Sequence, residues 1–515
     1  MVIINGEIPK WLKGSLIRVG SGLLEVGPDR YNHVFDGLAL MHKFCFEDGR
    51  VTYRNRFLRS DSYKKNMKAN RIVVTEFATP GIPDPCKTIF QRFASLFSLD
   101  DLTDNDLVNI ILYADEAYAC SESNCIWRID PDTLESLQKT IAFLNFNLDS
   151  LQVKLNRFVP VNAATAHAHE DTDGTVYNVG STFGYSCSYN ILKFPPKRKE
   201  VTERWLNLDL KQGSCLFRNH RATCSSVLRL EQRYKKSDNG FQNASLICKI
   251  PSTKTLGISY HHSFGMSENY FIFVEQPLYL SIPRLMWSHF VAGTYADAMY
   301  WDDDRPTRFH VVRRSDNQLL DTVYVSKRFS WRSGQDLVHQ SSGGSFQQPP
   351  SIPNLSCREA RGFILPLNVD EKKGDDENLI TLSNSEATAV QQSDGSIYLK
   401  PEILTASEPW SPELPRINYD YNGRKYKYFY AMARNDTLER THLIKVDVTA
   451  QKTISWNDQA EDSGILIASL LFQTDETKVA MVVLDARTMK EIGRVTFKTE
   501  SSVPGDFHGT FIPKN

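Results

Sequence analysis

No apolar run reaches the roughly 20 residues that a bilayer-spanning helix needs, although the chain has 515 residues. Strong charge of either sign is missing too. Sixty basic residues face 61 acidic ones for a net charge of −1, so no basic field argues for a nucleic-acid partner. The nine cysteines, an odd number scattered from Cys45 to Cys357, form no Cys-x-x-Cys pair. That fits reduced intracellular thiols better than a disulfide framework. The first residues, Met-Val-Ile-Ile-Asn-Gly, lack the charged and apolar regions of a signal peptide. A cytoplasmic protein is therefore expected, or a mitochondrial one if a transit peptide is missing from this N-terminus. The scattered Asp and Glu show neither a Ser/His/Asp triad nor a paired-carboxylate acid–base site.

What is present is globular: 41% hydrophobic and 23% charged residues, ample for a core. Length alone suggests two to four domains, but large β-architectures often run as one. Short strand-like runs divided by turn dipeptides dominate. Asp48-Gly49 separates 41–47 from 51–58, and Asp173-Gly174 precedes 175–180. Asp394-Gly395 precedes 396–400, and Asn422-Gly423 precedes 425–432. These are hairpin signals. The pattern continues through 441–448, 479–484 and 493–497, which favours an all-β propeller or a large barrel-like sheet assembly.

Other stretches break that rhythm. Residues 86–99 place Phe90, Phe93 and Phe97 three to four apart, an amphipathic helix with an aromatic face. It packs on the core, or else lies in a bilayer interface with Cys86 as an acylation candidate. Residues 195–237 carry eleven Lys and Arg against four acids and read as a solvated loop. Residues 329–356, rich in Ser, Gln, Gly and Pro, read as linker, and 140–156 is apolar without turn logic.

The chemistry is carried by histidines in small-residue and aromatic settings. His167 and His169 lie in Val161-Asn-Ala-Ala-Thr-Ala-His-Ala-His-Glu170, where an extended strand would point both rings to one face. Tyr260-His-His-Ser-Phe-Gly265 and Phe507-His-Gly509 supply two further sites, and alternation lets only one of His261 and His262 face inward. Neutral imidazole is the commonest metal ligand at neutral pH. Histidines far apart in sequence on short β-like segments suggest a centre built where several strands converge. The alternative is a set of hydrogen-bonded turn histidines.

Together the motifs resemble the carotenoid cleavage oxygenase family, most closely its animal β-carotene oxygenase branch, with the retinal pigment epithelium isomerohydrolase a near cousin. The resemblance rests on Gly6-Glu-Ile-Pro-Lys-Trp-Leu-Lys-Gly-Ser-Leu-Ile-Arg18, Arg30-Tyr-Asn-His-Val-Phe-Asp-Gly-Leu-Ala-Leu40, Leu58-Arg-Ser-Asp-Ser-Tyr63 and Ala69-Asn-Arg-Ile-Val-Val-Thr-Glu-Phe77. Pro83-Asp-Pro-Cys-Lys87, Ala164-Thr-Ala-His167, Tyr260–Gly265 and Phe507–Gly509 add to it. It implies a seven-bladed β-propeller with a helical cap, here one domain over 1–515, and Fe(2+) held on the axis by four His. His167, His262 and His508 match three of those ligands; His169 and His261 become neighbours. Glu122 and Glu402 match carboxylates that orient ligand imidazoles through their other nitrogen. The implied reaction is oxidative cleavage of a carotenoid double bond by O2, at or near a membrane surface.

The chain departs from the family pattern where the fourth His is expected. A His-His-hydrophobe-Asn-x-Tyr-Glu segment should follow Thr322-Val-Tyr-Val-Ser-Lys-Arg-Phe329, and 329–356 stands in its place. His339 is the only histidine there, in a motif that does not match. A third orienting Glu, expected shortly before Ala460, is missing as well. Three readings follow: an iron-dependent carotenoid oxygenase, a metal-defective carotenoid- or retinoid-binding relative, and a retinyl ester isomerohydrolase.

Overall fold

The computed structural model describes residues 2–82, 103–113, 115–141, 161–183, 186–196, 244–288, 293–328, 360–367, 377–383, 385–405, 411–435, 440–455, 464–472 and 474–514. The expectations for 86–99 and 329–356, for most of 140–156 and of 195–237, and for Cys86, Phe90, Phe93, Phe97 and His339 lie outside these residues.

Antiparallel sheets, several of them four-stranded, succeed one another along the chain. The first blade orders His508–Pro513, Gly14–Leu23, Leu38–Glu47 and Arg50–Phe57. The second runs Asn109–Tyr113, Glu116–Cys120, Cys125–Ile129 and Ser136–Ile141. In the third, Ala163–Ala164 and His169–Glu170 both pair with Val176–Thr182, followed by Ser188–Phe194 and Ser245–Pro251. Gly265–Met266, Tyr270–Glu275, Thr307–Arg313 and Tyr324–Ser326 make the fourth. Thr388–Gln391 and Ile397–Lys400 belong to the fifth. The sixth is Ser411–Arg416, Tyr428–Asn435, Arg440–Asp447 and Lys452–Ser455. In the seventh, Ile465–Leu471, Lys478–Asp485 and Glu491–Lys498 are completed by Val2–Gly6.

Apolar clusters between successive blades close this series into a ring. Strand Lys478–Asp485 shows how. Val479, Met481 and Val483 pack with Leu16, Phe44 and Phe46 of the first blade, whereas Val482 and Leu484 pack with Tyr430 of the sixth. A strand buried on both faces must be apolar at consecutive positions, because alternate residues serve opposite neighbours. The second blade repeats the device: Ala117 and Ala119 meet Ile17, Val19 and Met41 of the first, while Tyr118 and Cys120 meet Val176, Leu192 and Phe194 of the third. The third in turn packs on the fourth through Val179, Ile191, Phe271 and Phe273. The fold is thus a seven-bladed β-propeller, closed from both ends: the C-terminal strand enters the first blade and the N-terminal strand the seventh.

Three of the four turn dipeptides join strands as expected, whereas Asn422-Gly423 follows a short 3-10 turn at Tyr419–Tyr421 in the longer link from Arg416 to Tyr428. Asp48 and Gly49 join two strands with φ of 48° and 77°, the left-handed pair a two-residue hairpin turn requires. Helices are few among the described residues. Asp61–Ala69 is capped by the Ser60 hydroxyl, which accepts from Tyr63 N, and Ile282–Ser288 projects from a small sheet of Gly257–Ser259, Leu278–Ser281 and Met299–Trp301. The fourth and fifth blades meet unusually: Tyr324–Ser326 pairs in parallel with Ile397–Lys400, the one parallel pairing among the described strands.

Candidate metal centre

The first strands of blades three and four and the closing strand of blade one deliver His167, His262 and His508 to one point. Their ligand-capable atoms all lie within 4.8 Å of one another. The ring centroids of His167 and His262 are 4.2 Å apart, and those of His167 and His508 4.7 Å. His167 and His508 are buried and His262 is half-buried.

His167 does not stand on a regular strand. Ala164 pairs with Gly180 and His169 with Tyr177, so five steps on one strand oppose three on its partner and the chain bulges between them. Polar clamps hold the bulge. Asn178 Nδ2 donates to Thr165 O at 2.9 Å, Thr165 Oγ1 donates to Asn178 Oδ1 at 2.6 Å, and Asn109 Nδ2 donates to Ala166 O at 2.8 Å. This corrects the expectation that His167 and His169 share a face, because the bulge interrupts the two-residue alternation. His169 lies outside the cluster, with Nε2 2.9 Å from Phe264 O and Nδ1 3.3 Å from Asn422 Oδ1.

His262 sits just ahead of the first strand of blade four, and its Nδ1 donates to the Glu122 carboxylate. Tyr260 Oη donates to the same oxygen at 3.0 Å. Burial opposes the charge of Glu122, but His262 and these hydrogen bonds outweigh it and hold the carboxyl below its usual range. With the proton on Nδ1, His262 keeps a lone pair on Nε2. His261, by contrast, turns to Ser259 O and Ser181 Oγ at 3.3 and 3.4 Å.

His508 opens its strand opposite Val19. The next residue has to be glycine, since a Cβ on Gly509 would stand 2.2 Å from Ile17 O. The Nη2 of Arg416, at the end of the first strand of blade six, reaches His508 Nδ1 at 3.2 Å. Burial first, then the neighbouring imidazoles and Arg416, push His167 far below the ordinary imidazole range. Burial, Arg416 and His262 do the same to His508. Both rings are therefore neutral at pH 7, the form that ligates a metal. A buried set of imidazole donors with a carboxylate behind one of them fits a divalent first-row cation.

Glu402 stands apart from the three rings in its contacts. Its Oε2 accepts from Ser385 Oγ at 2.8 Å and Gln451 Nε2 at 3.1 Å, and no imidazole bonds to it among the described residues. Sequence reasoning missed Arg416, Asn109 and Asn178. Nothing in their local sequence distinguishes them, since each acts only through a partner on another strand or blade.

Three imidazoles brought together in a seven-bladed propeller, those of His167 and His508 buried and neutral, make a candidate metal centre. The profile of the retinal pigment epithelial membrane protein family matches residues 1–513, and the chain belongs to that family. It is 34% identical to the mitochondrial carotenoid-cleaving dioxygenase of Mustela putorius furo, over 99% of this chain and 93% of that one. The β,β-carotene 15,15′-dioxygenase of Gallus gallus is also 34% identical, over 99% and 95%. In three dimensions the chain is similar to a variant of the Synechocystis apocarotenoid oxygenase and to the cobalt-substituted form of that protein. Each gives a TM-score of 0.64 at 17% identity and covers 99% of this chain and 95% of the neighbour. The carotenoid cleavage oxygenase resemblance read from the motifs is thus met along the whole chain.

Proposed function

We propose that this protein is a non-haem Fe(II)-dependent dioxygenase that cleaves a carotenoid double bond to apocarotenal or retinal products. The observation that carries the reading is the convergence of His167, His262 and His508 in a chain that matches carotenoid-cleaving dioxygenases from end to end. These three residues would hold the metal, and the whole chain acts as one propeller domain around it. Bound there, a ferrous ion supplies the activation of O2 beside the polyene. The protein's own part is positioning. Glu122 fixes the tautomer and orientation of His262, Asn178 and Asn109 fix the bulge that carries His167, and the close approach at Gly509 fixes His508. A carotenoid offers no ionisable handle, so its selection rests on apolar shape rather than on charge.

A lipid-dissolved substrate calls for a membrane-facing surface. No described helix is long and apolar enough to cross a membrane. The helix Ile282–Ser288 does expose Met286 and Trp287, at 53% and 65%, which supports peripheral association through it together with 86–99. Location in the cytoplasm, or in mitochondria as the name of the Mustela putorius furo relative has it, accords with this reading.

A second reading, a metal-defective carotenoid- or retinoid-binding relative, is favoured by the contacts of Glu402, which bonds Ser385 and Gln451 instead of an imidazole. Anaerobic reconstitution with Fe(II), metal analysis, then exposure to O2 and β-carotene in micelles decides between them. Stoichiometric iron and aldehyde products support the dioxygenase. A pigment-binding chain that retains no iron and forms no product supports the second reading.

A further inference from the structure

We propose that the link between the first two strands of blade six is a strap that positions the ligand-bearing segments of blades three and four, with Asn422 as its positioning residue. The proposal rests on the reading of His167 and His262 as ligands. The link covers residues 417–427, well beyond the roughly 2–5 residues of an ordinary hairpin loop. Its two feet, Ile417 and Tyr426, pack on the core of blade six. Between them the chain makes its own turn. Asn418 Oδ1 accepts from Asp420 N at 3.1 Å, and Asn422 N donates to Tyr419 O at 2.9 Å.

The tip of this turn meets residues 249 to 253 positions earlier in the chain. Tyr419 Oη accepts from Glu170 N at 3.0 Å, and Asn422 Nδ2 donates to Glu170 O at 3.0 Å. Asn422 Oδ1 lies 3.3 Å from His169 Nδ1. On blade four, a Cβ at Gly423 would stand 3.6 Å from Ser267, and Arg424 pairs with Glu268 at 3.7 Å. Blades four and five stand between three and six in the ring, so the strap runs over the end of the propeller to reach its partners. Those partners lie just past the ligands. His169 and Glu170 follow His167, and His169 Nε2 is 2.9 Å from the carbonyl of Phe264, two residues after His262. His169 thus joins the two ligand segments, and Asn422 holds both its ring and the main chain beside it. Metal–ligand distances have to hold within about 0.2 Å. Neither blade fixes that alone, since His167 stands on a bulge and His262 ahead of its strand. A strap anchored in a third blade and tied to both segments does.

The test uses the full-length metal-free protein titrated with Co(II) and read by visible absorption, with a thermal melt of each variant alongside. Asn422→Ala removes both side-chain bonds and is expected to weaken Co(II) binding about 10-fold, the scale of groups behind metal ligands, and to shift the visible bands. Tyr419→Phe removes one bond and should cost about 3-fold, the worth of one neutral hydrogen bond. Leu399→Ala, in the cluster between blades four and five, should lower the melting temperature while leaving Co(II) affinity and bands as in wild type. Wild-type affinity and bands in Asn422→Ala overturn the proposal. If that variant does not fold, wild-type affinity in Tyr419→Phe overturns it equally. An equal loss of affinity in Leu399→Ala also overturns it, because general loosening would then explain the effect. Loss of Co(II) in His167→Ala beside unchanged binding in Asn422→Ala removes only the role of the strap. If His167→Ala binds Co(II) as tightly as wild type, the ligand assignment fails, and this proposal with it.

Discussion

The first and fifth blades of this propeller are built from similar hairpins and end very differently. The first has four antiparallel strands, with the C-terminal strand locked beside Gly14–Leu23 in a six-residue register from Gly14 with Pro513 to Val19 with His508. Both its faces are filled, by Leu16, Phe44 and Phe46 on one side and Ile17, Val19 and Met41 on the other. The fifth shows two described strands, attached to the fourth blade through the parallel pairing of Tyr324 with Ile397. One cluster around Phe309, Tyr324, Ala389 and Leu399 holds that junction. The difference teaches how a propeller makes a centre. Blades one, three and four bring His508, His167 and His262 to one point from the start of, or just beside, their first strands. The described part of blade five delivers none.

The largest expected effect breaks the well-built side. His167→Ala leaves two imidazoles and should reduce bound metal to background, measured by metal analysis after reconstitution. Retention of a full equivalent would show that the three rings are not the ligand set.

Next comes repair of the poor side. Replacing 329–356 with a His-His-hydrophobe-Asn-x-Tyr-Glu segment is expected to raise iron content and β-carotene turnover by about 10-fold or more, since even outer groups of a metal site are worth 10–100-fold. Equal iron and equal turnover in the two forms would show that the gap does not matter.

A smaller effect compares the cores directly. Met41→Ala and Leu399→Ala remove similar volume from sites that are 0% and 1% exposed. Such losses cost about 2–5 kcal/mol, more where the surroundings cannot relax. Met41, walled between two complete blades, should fall at the upper end and Leu399 at the lower, in paired urea melts. Equal losses would mean that the junction of blades four and five is as tightly packed as the rest.

The smallest effect is on pH dependence near the first two blades. Burial raises the Asp36 carboxyl to about 6, against hydrogen bonds from Thr79 and Ala78 that pull it down. Burial also pushes Glu76 and Asp106 well above the carboxylate range. A carboxyl raised in the fold keeps its proton where the unfolded chain has lost it. Its stabilisation is full below the unfolded value of 3.8 and declines as pH rises through the folded values. Urea midpoints should therefore fall from pH 5 to pH 8, and Asp106→Asn should flatten that slope. A wild-type slope unchanged by the substitution would remove these carboxyls from the account.

Much of this protein could be read from residues alone. Turn pairs such as Asp48-Gly49 and Asp394-Gly395 mark hairpins because only residues tolerant of positive φ fit there, and the strands Arg50–Phe57 and Ile397–Lys400 follow directly. The motifs around His167, His262 and His508 were visible for the same reason: small and aromatic neighbours are needed wherever backbone crowds an axis, as at Gly509 against Ile17 O. Local chemistry thus determined the strands, the family and the three candidate ligands.

Tertiary structure alone decided the rest. The bulge at 164–169 arises from pairing with Val176–Thr182 and separates His167 from His169, which alternation would have joined. Closure of the ring brings Val19 to His508 and Arg416 to the same imidazole, across 489 and 92 residues. The polarity of the centre follows from those meetings, with Glu122 behind one ring and Arg416 behind another. A hydrogen bond acts over about 3 Å of space whatever the separation in sequence. Which group stands behind each imidazole is therefore decided by the fold and not by the local sequence.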